Sequence, residues 1–341
     1  MTDTPQCAIN AGLTESKNRN RGISMDKDKY VVVIGAANID IGGTPTNPLI
    51  PADSNPGRIS INYGGVARNI AHNLCLLGVN VKFITAIGGD VLGADLIKHC
   101  EDVGMDTSFV LKIPSETSSM YLYVNNENGD MDVAIDHMTI CSKITPEYID
   151  SVADVFNGAE AVIADANLPF ESFMALKKKC QVPIYIDPVS TALAERIKPG
   201  LDGIDTIKPN TLEAEHLTGM TIKTEADYRA AATAILDMGV RRVFMSMGEE
   251  GMIAADRNNM YIVSEYPADV VCTTGAGDSA TAAIVWASTV LADPHSLVAA
   301  AKAANVVASM TVSVQETNSH NLSHQAALDR IIESNMTVKE I

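Results

Sequence analysis

The chain has 341 residues, 46% of them hydrophobic, with 42 acidic against 25 basic side chains and a formal charge of −17. That apolar content supports a sizeable core and excludes wholesale disorder. The negative balance excludes general binding to nucleic acid or an anionic membrane surface, while leaving room for a small phosphorylated ligand in a locally positive pocket.

Residues 1–26 are polar and lack an apolar h-region, so they read as a disordered extension rather than a signal peptide, with Met25 as an alternative start. No apolar run approaches the ~20 residues that span a membrane. The six cysteines (Cys7, Cys75, Cys100, Cys141, Cys180 and Cys272) form no C-x-x-C pair. This argues against a disulfide framework or zinc site and for a reducing, cytoplasmic compartment. His320 and His324, four apart, read as a solvated helix face rather than as metal ligands.

Tyr30–Gly35 is a β-branched run ending in glycine, the pattern of a buried first strand. Asn38–Tyr63, rich in Pro, Gly, Asn and Asp, reads as an excursion from the main sheet with short extended pieces. Gly64-Gly65 opens an amphipathic helix through Val66, Ile70, Leu74 and Leu77, stopped by Gly78. A strand over Val81–Ile87 and a helix over Leu92–Val103 follow. Residues 117–136 hold two extended runs around Asn126-Glu127-Asn128-Gly129-Asp130, a hairpin that joins the first excursion in a small separate sheet. Strands at 161–164, 183–186, 204–207 and 243–247 then alternate with helices, which implies right-handed βαβ units and a parallel sheet covered on both faces. Helices over 276–292, 294–312 and 322–334 finish the chain.

Thr273-Thr274-Gly275-Ala276-Gly277-Asp278 carries the clearest chemistry. A glycine turn at a helix start exposes N–H groups without intrahelical partners at the positive end of the helix dipole, where anions bind. Asp278 falls in the first turn, placed to take a proton from an attacking hydroxyl; an ordinary capped helix would read the same way. Gly35-Ala36-Ala37-Asn38-Ile39-Asp40 follows the first strand but lacks the G-x-G-x-x-G spacing, which disfavours a dinucleotide-dependent dehydrogenase. There Asp40 accepts from sugar hydroxyls or forms an Asx turn. Gly64-Gly65 with Asn69 serves either ligand approach or close backbone packing. In Lys208-Pro209-Asn210-Thr211-Leu212-Glu213, Asn210 and Glu213 either hold a hydrated Mg²⁺ or cap their helix. Ser246-Met247-Gly248-Glu249-Glu250-Gly251 is a nucleotide loop or a simple turn.

The ordered set G-x-x-N-x-D, G-G-x-x-x-N, N-x-x-E, S-M-G-x-x-G and T-G-A-G-D resembles the PfkB family of ribokinase-like carbohydrate and nucleoside kinases, over roughly residues 29–335. Within that family, Ala52–Arg58, Gly-Gly-Val-Ala-Arg-Asn and Asp187-Pro188-Val189-Ser190 look most like the branch that phosphorylates pseudouridine on its 5′-hydroxyl. The resemblance implies one three-layer α/β/α kinase domain over 27–335, with a mainly parallel sheet and a β-lid from about 38–63 and 117–136. It implies ATP as donor, Asp278 as base, and Gly275, Ala276 and Gly277 as an anion hole. It assigns Asn210 and Glu213 to Mg²⁺, and Ser246, Gly248, Gly251, Thr274 and Asn305 to the nucleotide. Asp40, Gly65 and Asn69 would hold the ribose, with Asn55, Asp165 and Asn167 on the base or lid side, and a homodimer would form through the lid. Cys272 replaces the aspartate of the family's D-T-x-G-A-G-D, so K⁺ activation loses the carboxylate that often adjoins it. Another ribose or nucleoside acceptor and a non-catalytic nucleoside sensor are the rival readings.

Overall fold

A computed structural model of the chain describes residues 26, 28–128, 130–291 and 293–341. Apart from Asp26, the extension expected over residues 1–26, with Cys7 and Met25, lies outside the described residues.

The run after Tyr30 forms β1 (Val31–Ile34), buried on both faces as a central parallel strand must be. The chain leaves the main sheet through β2 (Asn38–Pro45) and β3 (Gly57–Gly64), then returns through α1 (Val66–Leu76) to β4 (Val81–Ile84). The single strand expected over 81–87 is split. Beyond Thr85, β5 (Ala86–Gly88) leaves the main sheet, and after α2 (Val91–Asp102) it pairs with β6 (Leu111–Ile113). β7 (Met120–Asn125) and β8 (Met131–His137) form the expected hairpin, with the Asn126 side chain accepting from the Asn128 and Asp130 N–H groups.

Two short helices, α3 (Pro146–Ser151) and α4 (Ala153–Asn157), lead into the alternating half. It runs β9 (Ala161–Asp165), α5 (Phe170–Lys179), β10 (Ile184–Asp187), α6 (Thr191–Ile197) and β11 (Thr206–Ile207). Then come α7 (Thr211–Thr218), α8 (Glu225–Asp237) and β12 (Arg242–Ser246). The strands β13 (Met252–Ala255) and β14 (Met260–Val263) turn antiparallel. Three helices, α9 (Ala276–Val290), α10 (Leu297–Val312) and α11 (His324–Glu333), precede the last strand, β15 (Val338–Glu340).

The main sheet has the order β15-β14-β13-β12-β11-β10-β9-β1-β4, parallel from β12 to β4. The lid is a second sheet, β3-β2-β7-β8. One core packs α1, α9, α10 and α11 on one face of the main sheet, and the other packs α5 to α8 on the opposite face. This is the expected three-layer α/β/α arrangement. β13, β14 and β15 are not expected from the sequence, since they lie outside the regular alternation of strand with helix that marks the parallel strands. By pairing with β14, β15 carries the fold past the expected boundary at 335.

Among the described residues no helix is long and apolar enough to cross a membrane, and the five described cysteines are free thiols. The expectation of a solvated His324 fails: it is half-buried at the start of α11, where its Nδ1 accepts from the indole N–H of fully buried Trp286 at 3.2 Å. Trp286, on α9, is fully buried against the start of α11, so Trp286→Ala is expected to cost about 3–5 kcal/mol of stability. Urea denaturation of the two proteins measures it.

Candidate active site

The site residues come from the carboxyl ends of the parallel strands, where β1 has β4 on one side and β9 on the other. At such a switch point the connections leave in opposite directions and open a crevice. Asp165, the last residue of β9, is almost fully buried there. Its Oδ2 accepts from the backbone N–H groups of Ala36 (3.0 Å) and Ala67 (2.9 Å), and its Oδ1 accepts from that of Asn167 (2.9 Å). One carboxylate thus ties the loop after β1, the first turn of α1 and the loop after β9. These bonds place Asp165 in the scaffold of the site rather than on the ligand side. A Cβ on Gly35 would run into this carboxylate, and one on Gly65 (φ 97°) into the backbone of Ala36 and Ala37, so both glycines answer to close backbone approach.

The crevice consists of two cavities. The larger, about 560 Å³, is lined by Ser246, Gly248, Gly251, Tyr266, Thr273 and Asn305 among others. The smaller, about 410 Å³, is lined by Asp187, Val189, Lys208, Glu213, Gly277 and Asp278. Ser246, Gly248 and Gly277 line both, so one groove leads from the S-M-G-x-x-G loop to Asp278. Gly275 (φ 84°) starts α9 in the left-handed region, packed so closely on the Thr317 carbonyl that a Cβ has no space. Among the described residues, the N–H groups of Gly277 and Asp278 find no acceptor, the free donor pair that an anion needs.

Asp278 Oδ2 accepts from Asn69 Nδ2 at 2.7 Å, across the contact between α1 and α9. Burial first, then the charge of Asp187, push its carboxyl up to about 7, against the opposing pull of Asn69, Lys208 and Arg68. Asp187 holds the end of β10: its Oδ1 accepts from Val189 N–H and its Oδ2 from Thr281 Oγ1 at 2.7 Å. The first of these bonds holds the β-branched Val189 at φ 68°, a conformation costly enough to mark a constrained site. The buried Lys208 ammonium lies 3.7 Å from Asp187 Oδ2, and a Cβ on Gly277 would be 3.4 Å from it. Burial pulls Lys208 down, but Asp187, Glu213 and Asp278 together outweigh it and raise the ammonium above its ordinary value, so it stays charged.

Asn210 and Glu213 form a reciprocal capping box at the start of α7, each side chain accepting from the other's backbone N–H at 2.9 Å. Burial, then Asp187, raise the Glu213 carboxyl. Three carboxylates therefore converge on Lys208, an acidic surplus that suits a divalent cation. Among the described residues no three His, Cys, Asp or Glu side chains form a metal cage.

The remaining expected residues are distributed unevenly. Asp40 on β2 accepts from Asn38, and burial raises its carboxyl to about 6. Asn55 spends its amide on Ile50 and Asp53 at the tip of the β2–β3 hairpin. Asn167 faces a separate cavity of about 530 Å³ beside Cys141 and Arg196. Thr274 is exposed, and its neighbour Thr273 lines the larger cavity instead. Asn305 lines that cavity too, but its NH₂ donates to the carbonyls of Val263 (3.1 Å) and Ser264 (2.9 Å). Asp187, Thr281, Lys208 and Arg68 are site residues that the sequence motifs do not mark as such. The available signal was a charged residue directly after an apolar strand, at Asp187 and at Lys208.

Residues 28–324 match the pfkB family of carbohydrate kinases. The chain is 35% identical to the pseudouridine kinase of Escherichia coli K12 over 88% of its own length and 95% of that protein. It is 27% identical to the guanosine-inosine kinase of Exiguobacterium acetylicum, over 75% of its length and 86% of that relative. In fold it is similar to the Arabidopsis thaliana ribokinase whose structure holds ribose and ATP, with a TM-score of 0.77, 23% identity, and coverage of 90% of this chain and 99% of that one.

Asp165→Ala would strip three N–H groups of their acceptor, two of them deeply buried. We expect a loss on the order of 3 kcal/mol in equilibrium denaturation, at roughly 1–3 kcal/mol per buried unpaired group.

Proposed function

Because the chain belongs to the pfkB family of carbohydrate kinases, phosphotransferases with a hydroxyl acceptor, we propose that it moves the γ-phosphoryl group of ATP to the 5′-hydroxyl of pseudouridine. The observation that carries this reading is the position of Asp278. It lines the smaller cavity next to Gly277, which both cavities share, beside the free N–H groups of α9, with a carboxyl pushed up to about 7. Asp278 takes the 5′-hydroxyl proton while that oxygen forms its bond to the γ-phosphorus and the bond to the ADP oxygen breaks. The Gly277 and Asp278 N–H groups and Lys208 face the charge gathering on the phosphoryl oxygens. Mg²⁺, held through water near Asn210, Glu213 and Asp187, would neutralise phosphate charge. The larger cavity takes the nucleotide, with Thr273 rather than Thr274 on its wall, and Asp40 and Asn69 approach the ribose from the lid side. The free thiols and the pseudouridine kinase relative support work in the cytoplasm.

The lid supports a homodimer. Ile61, Ile41, Leu122 and Ile135 occupy one register row across all four strands, and Ile59, Gly43, Val124 and Val133 the row two residues on, so both rows share a face. Ile59 is 75% and Ile135 65% exposed, an apolar sheet face that a second copy would cover. Ile135→Lys should convert a dimer into a monomer in light scattering; a wild-type protein that is monomeric at micromolar concentration removes the reading.

Turnover with ATP across pseudouridine, uridine, inosine, adenosine and ribose tests the acceptor. If pseudouridine ranks below ribose or adenosine, the acceptor is wrong while the phosphotransferase stands. Asp278→Asn is expected to fold normally and lose about 10²–10⁴ in kcat, the usual contribution of a general base. Since the base must be ionised, wild-type kcat should rise as pH passes through about 7 and level off above it. A kcat that stays flat from pH 5.5 to 8.5, or near-normal turnover by Asp278→Asn, would remove Asp278 from that role.

A further inference from the structure

Arg68 is 2% exposed and ranks among the largest fully buried side chains. None of the ion pairs among the described residues includes it. A buried cation without a carboxylate partner is costly, so a fold that keeps one needs a compensating gain. Its guanidinium is instead spread over four acceptors. Nε donates to Gly64 O at 3.4 Å, Nη1 to His72 Nδ1 at 3.1 Å, and Nη2 to both Tyr63 O and Asn69 Oδ1. His72 accepts here through Nδ1: burial, then the Arg68 charge, hold its ring neutral, with a pKa of about 3.

Two of those four acceptors end β3, the lid strand that enters α1, and another belongs to the residue that holds Asp278. An amide has an acceptor end and a donor end, and only the donor end attracts a carboxylate. With Asn69 Oδ1 engaged by Arg68, Asn69 Nδ2 is left to face Asp278 Oδ2 at 2.7 Å. Were the amide turned over, its oxygen would meet the carboxylate and push it away. From three nitrogens the planar fork of arginine reaches the two carbonyls that end the lid strand, His72 and the amide at once, a spread that the one nitrogen of an ammonium does not match.

We propose that Arg68 is a positioning residue for phosphoryl transfer: it sets the Asn69 amide so that its NH₂ holds Asp278, and it clamps the last lid strand to the same point. The proposal rests on Asp278 acting as the base. It places the aim of the base under the control of the lid root, so that lid and base are set by one side chain.

The test measures phosphate transfer from ATP to pseudouridine for Arg68→Lys, Arg68→Met, Asn69→Ala and the Arg68→Met/Asn69→Ala double variant. Arg68→Lys is expected to keep its fold by circular dichroism and to lose about 10²-fold in kcat, the scale of a misplaced reacting group, with KM for ATP within about threefold. In the Asn69→Ala background, Arg68→Met should add less than about threefold, since the two residues act in series. Losses that multiply in the double variant, or near-normal kcat in Arg68→Lys, overturn the proposal. If Arg68→Met does not fold, the Arg68→Lys result alone decides. Asp278→Asn run alongside separates the two readings. If it turns over normally, the base and this proposal fall together; if it is inactive while Arg68→Lys runs at full rate, only the proposal falls.

Discussion

The carboxylate of Asp165 is the constraint on which the site geometry depends. It ends β9 beside β1 and gathers the N–H groups of Ala36, Ala67 and Asn167 onto one buried group. Three backbone donors leaving separate elements would otherwise face a dry interior with nothing to bond. By accepting all three, Asp165 fixes the angle at which the chain leaves β1 toward the lid and re-enters through α1. Asn38 and Asp40 at one lid root, and Arg68 and Asn69 at the other, take their positions from that joint.

Charge is arranged against the character of the whole chain. The protein carries −17, yet two deeply buried cations, Lys208 and Arg68, both act on Asp278. Lys208 faces Asp187, Glu213 and Asp278 from the donor side, while Arg68 reaches Asp278 through Asn69 from the lid side. Buried as they are, such cations act more strongly on the Asp278 carboxylate than surface lysines would, because water screens them little. Burial and the neighbouring charge of Asp187 bring the Asp278 carboxyl up to about 7, where a proton can both leave and arrive near neutral pH.

Much of this was legible in the chain. The β-branched run at 31–34, the alternation beyond residue 161 and the glycine turn at 275–277 are local patterns, set by strand burial, βαβ chirality and the conformational freedom of glycine. The residues around Asp278 were harder. Thr281 meets Asp187 from 94 positions away, and no spacing rule links them. Asn305 and Asn55 show the converse: their amides suit ligand contacts, but the fold spends Asn305 on Val263 and Ser264 and Asn55 on the hairpin tip. An amide serves a backbone carbonyl as readily as a ligand, so residue type cannot separate the two uses.

The sequence by itself determined the alternation of strands and helices that makes the parallel sheet, the glycine positions that close backbone approach requires, and the family. These follow from periodicity and from motifs that are each continuous in the chain. Only the tertiary structure decided which charges share the crevice, that Asp165 serves the scaffold, and that a buried arginine stands behind Asn69. Those outcomes depend on which strand ends and helix starts become neighbours, and burial converts such neighbourhoods into shifted carboxyls and fixed amides. Arg68 makes the distinction plain: in the chain it is one basic residue on an amphipathic helix, and in the fold it joins the lid to Asp278.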